Sequence, residues 1–305
     1  MFKKLHRIVC PNQKVKYNIT KHNPLDWIFP KIESDEYSVF DVDGYTISGT
    51  SSFDKNKVPS GNFTRVELEE NNYDNLNDID LIERIKNRFE RKIINNILFS
   101  NILGVNHWVI VTLNNYPLHY NLNEKLIFSL KFELKKSILN LITIKKLSFY
   151  EFEKGIKKLR GFSFNKVKTL KSGPSHLSCY SSNKTLNPFP GDLDGCILNK
   201  VNNKVVSLIE FKTHNINSPI NQEHIGKYGK QDWRRFEVLF NLQLFLEKKQ
   251  NFKPKVFYVA WGTGNFKNHE FIKVDNIAKG EILKSSLIKR PKFGIYSSEL
   301  FQKLL

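Results

Sequence analysis

Residues 191–214 read GDLDGCILNKVNNKVVSLIEFKTH, and this stretch decides the fold of the chain. It contains two short apolar runs, Cys196–Leu198 and Val205–Ile209, which are joined by a polar turn of Asn and Lys residues. Two apolar runs around a short polar turn predict a β-hairpin. Asp194 lies two residues before the first run, with Gly195 between them, so we expect its carboxylate at the start of the first strand.

The second run ends in the triplet Glu210-Phe211-Lys212. Side chains alternate between the faces of a strand, so Glu210 and Lys212 share one face and Phe211 takes the other. Magnesium prefers oxygen ligands and usually takes one or two carboxylates. We therefore expect Asp194 and Glu210 to hold Mg²⁺, or Mn²⁺ in its place, with the backbone carbonyl of Phe211 as a further ligand. Lys212 is the expected catalytic cation, which positions or helps deprotonate water or neutralises charge on a phosphate.

The arrangement of Asp194 and the Glu210-Phe211-Lys212 triplet resembles the PD-(D/E)XK nuclease superfamily. The resemblance covers this hairpin and the amphipathic helix after it. It implies an α/β fold with a mixed central sheet flanked by helices, the restriction-endonuclease-like core. It also implies Mg²⁺-dependent hydrolysis of DNA phosphodiester bonds, as in endonucleases of restriction, mobile-element or repair type. In the family, a proline directly precedes the first aspartate. Here Pro190 is near Asp192 and Asp194 in the sequence but adjacent to neither.

The resemblance also suggests auxiliary residues. Asp192 lies on the same strand face as Asp194 and is a candidate for a second metal or for supporting the first. The family often adds a glutamate from a preceding helix, for which Glu151 and Glu153 are candidates. His214 would share the active face if its strand continues. The helix after the triplet often contacts phosphate, and the candidates for this and other nucleic-acid contacts are Gln231, Lys230, Arg234, Arg235, Lys168 and Lys171.

The composition agrees with a polyanionic partner, most simply double-stranded DNA. The 305 residues include 48 Lys and Arg against 30 Asp and Glu, a formal net charge of +18. Such an excess steers association with nucleic acid and supplies non-specific affinity. Three scattered cysteines form no CxxC pair and cannot ligate an iron–sulfur cluster. No apolar run approaches a membrane span and the N-terminus lacks a signal-peptide core, so we expect an intracellular protein that does not enter membranes.

Two regions are expected: a recognition or assembly region of α+β type over residues 1–120, and the nuclease domain over 121–305. We find no internal repeat between them. Residues 213–229 read as a long loop, and loops of that length are often functional. Helices are predicted at Leu81–Phe99, Glu124–Ile142, Ser148–Leu159 and Gln231–Lys248, strands at His107–Leu113 and Val256–Trp261, and loops with a strand over 161–190.

Other functions remain open. Asp192-Leu-Asp-Gly resembles the signature of haloacid-dehalogenase-like phosphatases, and so does Asp41-Val-Asp-Gly. In that family an apolar strand leads into the first aspartate, whereas prolines precede Asp192 here. A non-catalytic, basic nucleic-acid-binding protein with a vestigial site is the other alternative. A nuclease with one site that cuts both strands would favour a homodimer.

Overall fold

The computed structural model is α/β, and its described residues form a large mixed sheet of ten strands together with five helices. The structure describes residues 8–14, 23–29, 34–50, 57–68, 77–214, 218–227, 230–262, 270–279 and 281–305, without the side chains of 227 and 230–235. The chain divides into two compact units. The first unit consists of residues 1–21 and 42–192, and the second of residues 22–41 and 193–305. This division falls elsewhere than the expected boundary at residue 120.

The first unit carries most of the elements. They are β1 (Ile8–Val9), β2 (Tyr37–Ser48, of which the part from Val42 belongs here), β3 (Val58–Leu68), α1 (Asp78–Leu103), β4 (His107–Leu113), β5 (Ile127–Lys135), β6 (Ile138–Leu147), α2 (Phe149–Arg160), β7 (Ser172–Gly173) and α3 (His176–Lys184). Its main sheet has the order β2-β3-β4-β5-β6. Only β3 and β4 are parallel, and α1 makes the crossover connection that parallel strands require.

Helix α1 begins and ends where its sequence dictates. The side chain of Asn77 accepts a hydrogen bond from the backbone N–H of Asp80 at 2.9 Å, which caps the first turn. Gly104 ends the helix with a φ of 72°, a conformation that suits glycine. Leu81, Ile85 and other apolar residues of α1 pack into the core of the unit. The helix predicted over Leu81–Phe99 is confirmed and is longer at both ends.

The helix predicted over Glu124–Ile142 is wrong, because this segment forms strand β5 and the start of β6. Its apolar residues alternate as in a half-buried strand, with Leu130 and Phe132 buried and Lys131 between them more exposed. Lys136 and Ser137 both have positive φ, at 50° and 64°, which is the geometry of a tight hairpin turn. Residues 161–190, predicted as loops with a strand, contain β7 but also the helix α3.

The second unit is built around the predicted hairpin. Its elements are β8 (Gly191–Asn199, of which the part from Leu193 belongs here), β9 (Lys204–His214), α4 (Lys230–Gln250), β10 (Lys255–Gly262), β11 (Phe271–Ala278), β12 (Glu281–Lys289) and α5 (Ser298–Leu304). The strand order is β12-β11-β10-β9-β8. Strands β8 and β9 are antiparallel, β9 and β10 are parallel, and α4 connects the parallel pair. The hairpin, the helix α4 and the strand β10 are confirmed.

The core of the second unit includes residues from the start of the chain. Trp27 is fully buried and packs against Trp261 and Phe293, with ring centroids 5.5 Å and 5.4 Å away. Leu25 lies so close to Gly195 that a Cβ atom there would meet its Cδ1 at 3.2 Å and the Cβ of Ile209 at 3.3 Å. Glycine after Asp194 therefore lets β8 pass close beneath these side chains.

Cys10 and Cys179 form a disulfide bond in the first unit, across 169 residues of sequence. The bond lies beside the two-stranded sheet of β1 and β7, where the backbone N–H of Cys10 also bonds to the carbonyl of Lys171. The third cysteine, Cys196, is a buried free thiol, and burial raises its pKa. Disulfides persist in oxidising compartments, whereas the sequence led us to expect an intracellular protein.

The described helices include none with the length and apolar character needed to cross a membrane.

His107 should make the protein sensitive to mild acid. The side chain is buried, and its Nε2 lies 2.9 Å from the hydroxyl oxygen of Thr64. Burial lowers the pKa of His107 from 6.5 to about 3, while Asp43 raises it and Lys92 lowers it by smaller amounts. Between these two pH values His107 is protonated in the unfolded chain but neutral in the folded protein. The free energy of unfolding should therefore fall as the pH drops from 6.5 towards 3.

The measurement is urea unfolding at several pH values between neutral and mildly acidic conditions. His107→Gln should lose less stability on acidification than the parent protein. His119→Gln, at an exposed position of the same unit, is the matched control and should follow the parent. If His107→Gln and the parent have the same pH dependence, the neutral buried imidazole is not the cause.

Candidate active site

Asp194 is held in place by the backbone of the neighbouring strand. Its Oδ2 accepts a hydrogen bond from the N–H of Phe211 at 2.8 Å. The pairing of Gly195 with Ile209 sets this register between β8 and β9. A carboxylate bonded in this way to a backbone N–H keeps one orientation, and charge-assisted bonds of this kind are among the stronger ones.

Glu210 takes the position on β9 that follows Ile209, next to Asp194 across the pair. Ile209 packs into the core of the unit, so Glu210 faces the other side of the sheet, as do Asp194 and Lys212. The Glu210 side chain is only 4% exposed, whereas Asp194 and Lys212 are half-buried. The structure thus brings the three predicted catalytic residues to one face of the hairpin. Phe211, on the opposite face, packs against the apolar core.

The parallel register extends this face across the sheet. Glu210 pairs with Tyr258 on β10, and Tyr258 pairs with Asp275 on β11. Asp275 is fully buried and forms an ion pair of 3.0 Å with Lys273, and it accepts a bond from the Ser285 hydroxyl at 2.6 Å. A row of polar side chains therefore continues from the carboxylates through three further strands.

A buried glutamate, Glu223, ties this row to the segment after β9. One of its carboxylate oxygens accepts the Tyr258 hydroxyl at 3.0 Å, and the other lies 2.6 Å from Nδ1 of His214. The Lys273 ammonium donates to the backbone carbonyl of Glu223. We did not predict this role for Glu223, because the sequence shows it only as one polar residue of a long loop.

His214 is on the strand face that the alternation predicts, but its ring is engaged. Its Nδ1 lies against Glu223, and its Nε2 lies 2.7 Å from the carbonyl oxygen of Ser218. The side chain is buried. This geometry favours a histidine that anchors the segment after β9 over one that acts as an auxiliary base.

The other acidic residues that were predicted as auxiliary candidates all belong to the first unit. Asp192 lies on β8 at the end of the first unit. Glu151 and Glu153 lie on α2 in the first unit. Glu151 closes a capping box with Ser148, whose backbone N–H bond lowers the pKa of this carboxyl. Glu153 accepts a bond from the Asn187 amide at 3.1 Å and lines a cavity of about 440 Å³ in that unit.

The candidates for nucleic-acid contacts divide into two groups. Lys168 and Lys171 are exposed in the first unit, and the ammonium of Lys168 lies 5.0 Å from the centre of the Phe164 ring. The other four begin helix α4, but their side chains fall outside the described part of the chain: Lys230, Gln231, Arg234 and Arg235.

The donor set suits a hard divalent cation. Asp194 and Glu210 supply carboxylate oxygens and Phe211 a peptide carbonyl, which is the ligand type that Mg²⁺ prefers. No cluster of three or more His, Cys, Asp or Glu side chains with metal-site geometry occurs among the described residues, so any ion here would rely on two carboxylates, the backbone and water. Magnesium commonly binds with this few protein ligands.

Comparisons with known proteins name no family. No family model matches the chain, and no curated protein matches it. Among solved structures, a weak similarity is to the "Sex pheromone staph-cAM373 precursor", with 9% identity, 93% of this chain and 86% of that chain covered, and a TM-score of 0.17. A score this low carries no argument about fold or function.

Proposed function

We propose that the chain is a metal-dependent nuclease of the PD-(D/E)XK type, with the restriction-endonuclease-like core in its second unit, and that it hydrolyses phosphodiester bonds of double-stranded DNA. One observation carries the proposal. The Asp194 carboxylate is fixed by the Phe211 N–H at 2.8 Å, which places it beside Glu210 on the face that also presents Lys212. The mixed sheet, with an antiparallel hairpin and a helix that follows it, supports the α/β fold that the resemblance implies.

The two carboxylates and Lys212 have different tasks in the proposed reaction. Asp194 and Glu210 hold the cation, with Mg²⁺ as the expected metal and Mn²⁺ as its substitute. A divalent ion bound there supplies Lewis acidity and lowers the pKa of a bound water. Lys212 orients the attacking water and stabilises negative charge that develops on the phosphate as the phosphorus–oxygen bond to the leaving strand breaks. The basic excess of the chain attracts the DNA.

The test is a cleavage panel. Purified protein is incubated with supercoiled plasmid, linear duplex, single-stranded DNA and RNA, each with Mg²⁺, Mn²⁺ or EDTA. We expect cutting of duplex DNA that requires the metal and that is lost in Asp194→Asn, which keeps an oxygen to accept the Phe211 N–H. Glu281→Gln, which removes a carboxylate at an exposed position of β12, is the matched control and should cut normally. Binding of DNA without cutting of any substrate, including a genomic library, would favour the non-catalytic binding protein.

A further inference from the structure

The main sheets of the two units have the same order of strands and the same crossover helix, although no internal repeat was predicted from the sequence. In the first unit, β2 and β3 are antiparallel, α1 crosses over to β4 parallel to β3, and β5 and β6 follow as antiparallel neighbours. In the second unit, β8 and β9 are antiparallel, α4 crosses over to β10 parallel to β9, and β11 and β12 follow in the same way. Each of the five strands β2 to β6 thus has a counterpart among β8 to β12.

The counterparts agree residue by residue at the aspartates. Both first strands carry Asp-x-Asp-Gly, at residues 41–44 and 192–195. Gly44 pairs with Phe63, just as Gly195 pairs with Ile209. The Oδ2 atom of Asp43 accepts the N–H of Arg65 at 2.8 Å, which is also the distance from Oδ2 of Asp194 to the N–H of Phe211.

Irregularities of the two sheets coincide as well. The register of the first pair shifts between Thr46 and Ile47 in one unit and between Ile197 and Leu198 in the other. Both places lie three to four residues after the aspartate. Bulges are retained within protein families, and nothing in the topology alone requires one at this position.

A second irregularity repeats three strands away. The register shifts between Lys131 and Phe132 on β5 and between Asn276 and Ile277 on β11. The strand registers make Leu130 of the first unit equivalent to Asp275 of the second. In both units the register shift starts at the residue after this equivalent pair, so the two sites correspond. Two coincident bulges argue for copies of one module rather than for a chance likeness of topology.

The alignment of registers shows what the first unit has in place of the triad. Thr64 occupies the position of Glu210, and Val66 that of Lys212. Thr64 is fully buried and bonded to His107. The aspartate remains, and the ammonium of Lys92, on helix α1, lies 2.9 Å from Oδ1 of Asp43. A positive charge thus already stands at the retained carboxylate.

We infer that the first unit is a second copy of the module of the second unit, in which the ammonium of Lys92 stands in place of the divalent cation. The chain then has one metal centre, at Asp194 and Glu210, and one metal-free centre at Asp43. The metal centre at Asp194 and Glu210 rests on the proposed function. The replacement of the cation by Lys92 at Asp43 does not. Because the Lys92–Asp43 pair is partly buried, with side chains 24% and 8% exposed, its charges are little screened by solvent.

The first experiment counts metal ions in the intact chain. Electron paramagnetic resonance of free Mn²⁺ during a titration gives the number bound. We expect one Mn²⁺ per chain, retained in Asp43→Asn and lost in Asp194→Asn. Two ions per chain, of which Asp43→Asn removes one, would overturn the inference and leave the proposed function standing. Binding of no ion would count against the proposed function, and the second experiment then decides the inference alone.

The second experiment restores the missing ligand in a background that carries Asp194→Asn. Lys92→Met with Thr64→Glu should create a Mn²⁺ site, seen as a rise of at least about 2 °C in the unfolding midpoint on adding millimolar Mn²⁺. Lys92→Met with Thr64→Gln is the matched control and should show a clearly smaller rise, because it offers the ion the Asp43 carboxylate but no second one. Equal responses of these two proteins would overturn the inference.

The Thr64→Glu protein has to fold for that comparison, and a simpler pair of variants serves if it does not. Lys92→Met alone should gain a Mn²⁺-dependent rise of its midpoint, because it exposes the Asp43 carboxylate to added cations. The rise should vanish in Lys92→Met with Asp43→Asn. If Lys92→Met responds to Mn²⁺ no more than that double variant does, Lys92 is an ordinary ion-pair partner and the inference fails.

Discussion

Lys212→Ala is expected to lower the rate of metal-dependent DNA cleavage at least about 10²-fold, because the variant loses the one cation of the triad. Lys212 lies two residues after Glu210 on β9 and so shares its strand face, and it is half-buried. In the proposed mechanism, an ammonium there acts on water and on the charged phosphate of the transition state more than on bound DNA. The affinity for DNA should therefore stay close to that of the parent protein.

The measurement is single-turnover cleavage together with DNA binding in Ca²⁺, a metal that often supports binding without cutting. Lys204→Ala is the matched control, since it removes one positive charge from the other end of the same strand. It should cut at the parent rate. A Lys212→Ala protein that cuts normally would remove Lys212 from the chemistry. An equal loss of binding and cutting would make it a DNA-binding residue.

Lys273→Met is expected to destabilise the protein by about 3–5 kcal/mol, because it leaves the buried Asp275 carboxylate without the ammonium that balances its charge. The Lys273 and Asp275 side chains are 8% and 0% exposed, and their charged atoms lie 3.0 Å apart. Lys273 also donates to the carbonyl of Glu223. Without the ammonium, the Ser285 hydroxyl is the side-chain donor that the described residues leave to the Asp275 carboxylate. Breaking a buried pair in this way costs far more than losing a surface pair.

Chemical unfolding in urea measures this effect. The double variant Lys273→Met with Asp275→Asn should recover much of the loss, because no buried charge is left without its partner. Lys284→Met, at an exposed position of β12, should leave the unfolding midpoint unchanged. Additive losses in the double variant would show that the two side chains act independently.

The sequence predicted the parts of the fold that depend on local patterning. The hairpin around residues 199–204, the strand His107–Leu113 and the helices α1, α2 and α4 all follow from apolar spacing and caps. The segment 124–142 misled us, because its Phe, Leu and Ile residues fit both periods and the turn at Lys136 and Ser137 has no glycine to mark it. Local periodicity alone does not decide such a segment.

The candidate site was predictable only as far as one hairpin carries it. Asp194, Glu210 and Lys212 are brought together by neighbouring strands, so a short stretch of sequence is enough. The ties of Asp43 to Lys92, 49 residues later, and of Glu223 to Tyr258, 35 residues later, depend on the packing of distant elements. The likeness of the two units could not be predicted from the sequence either. It consists of matching strand registers and bulges, and the short Asp-x-Asp-Gly stretch is the part of it that the sequence shows.

The placement of Trp27 has a consequence for the order in which the chain folds during synthesis. Trp27 is translated more than two hundred residues before its aromatic partners Trp261 and Phe293. Chains grow at roughly 5–20 residues per second, so this indole waits on the order of ten seconds or more for the core that buries it. The whole stretch 42–192 emerges in that interval with its own core residues present. The second unit of the nascent chain thus closes after the first, around a tryptophan that lacks these aromatic partners until then.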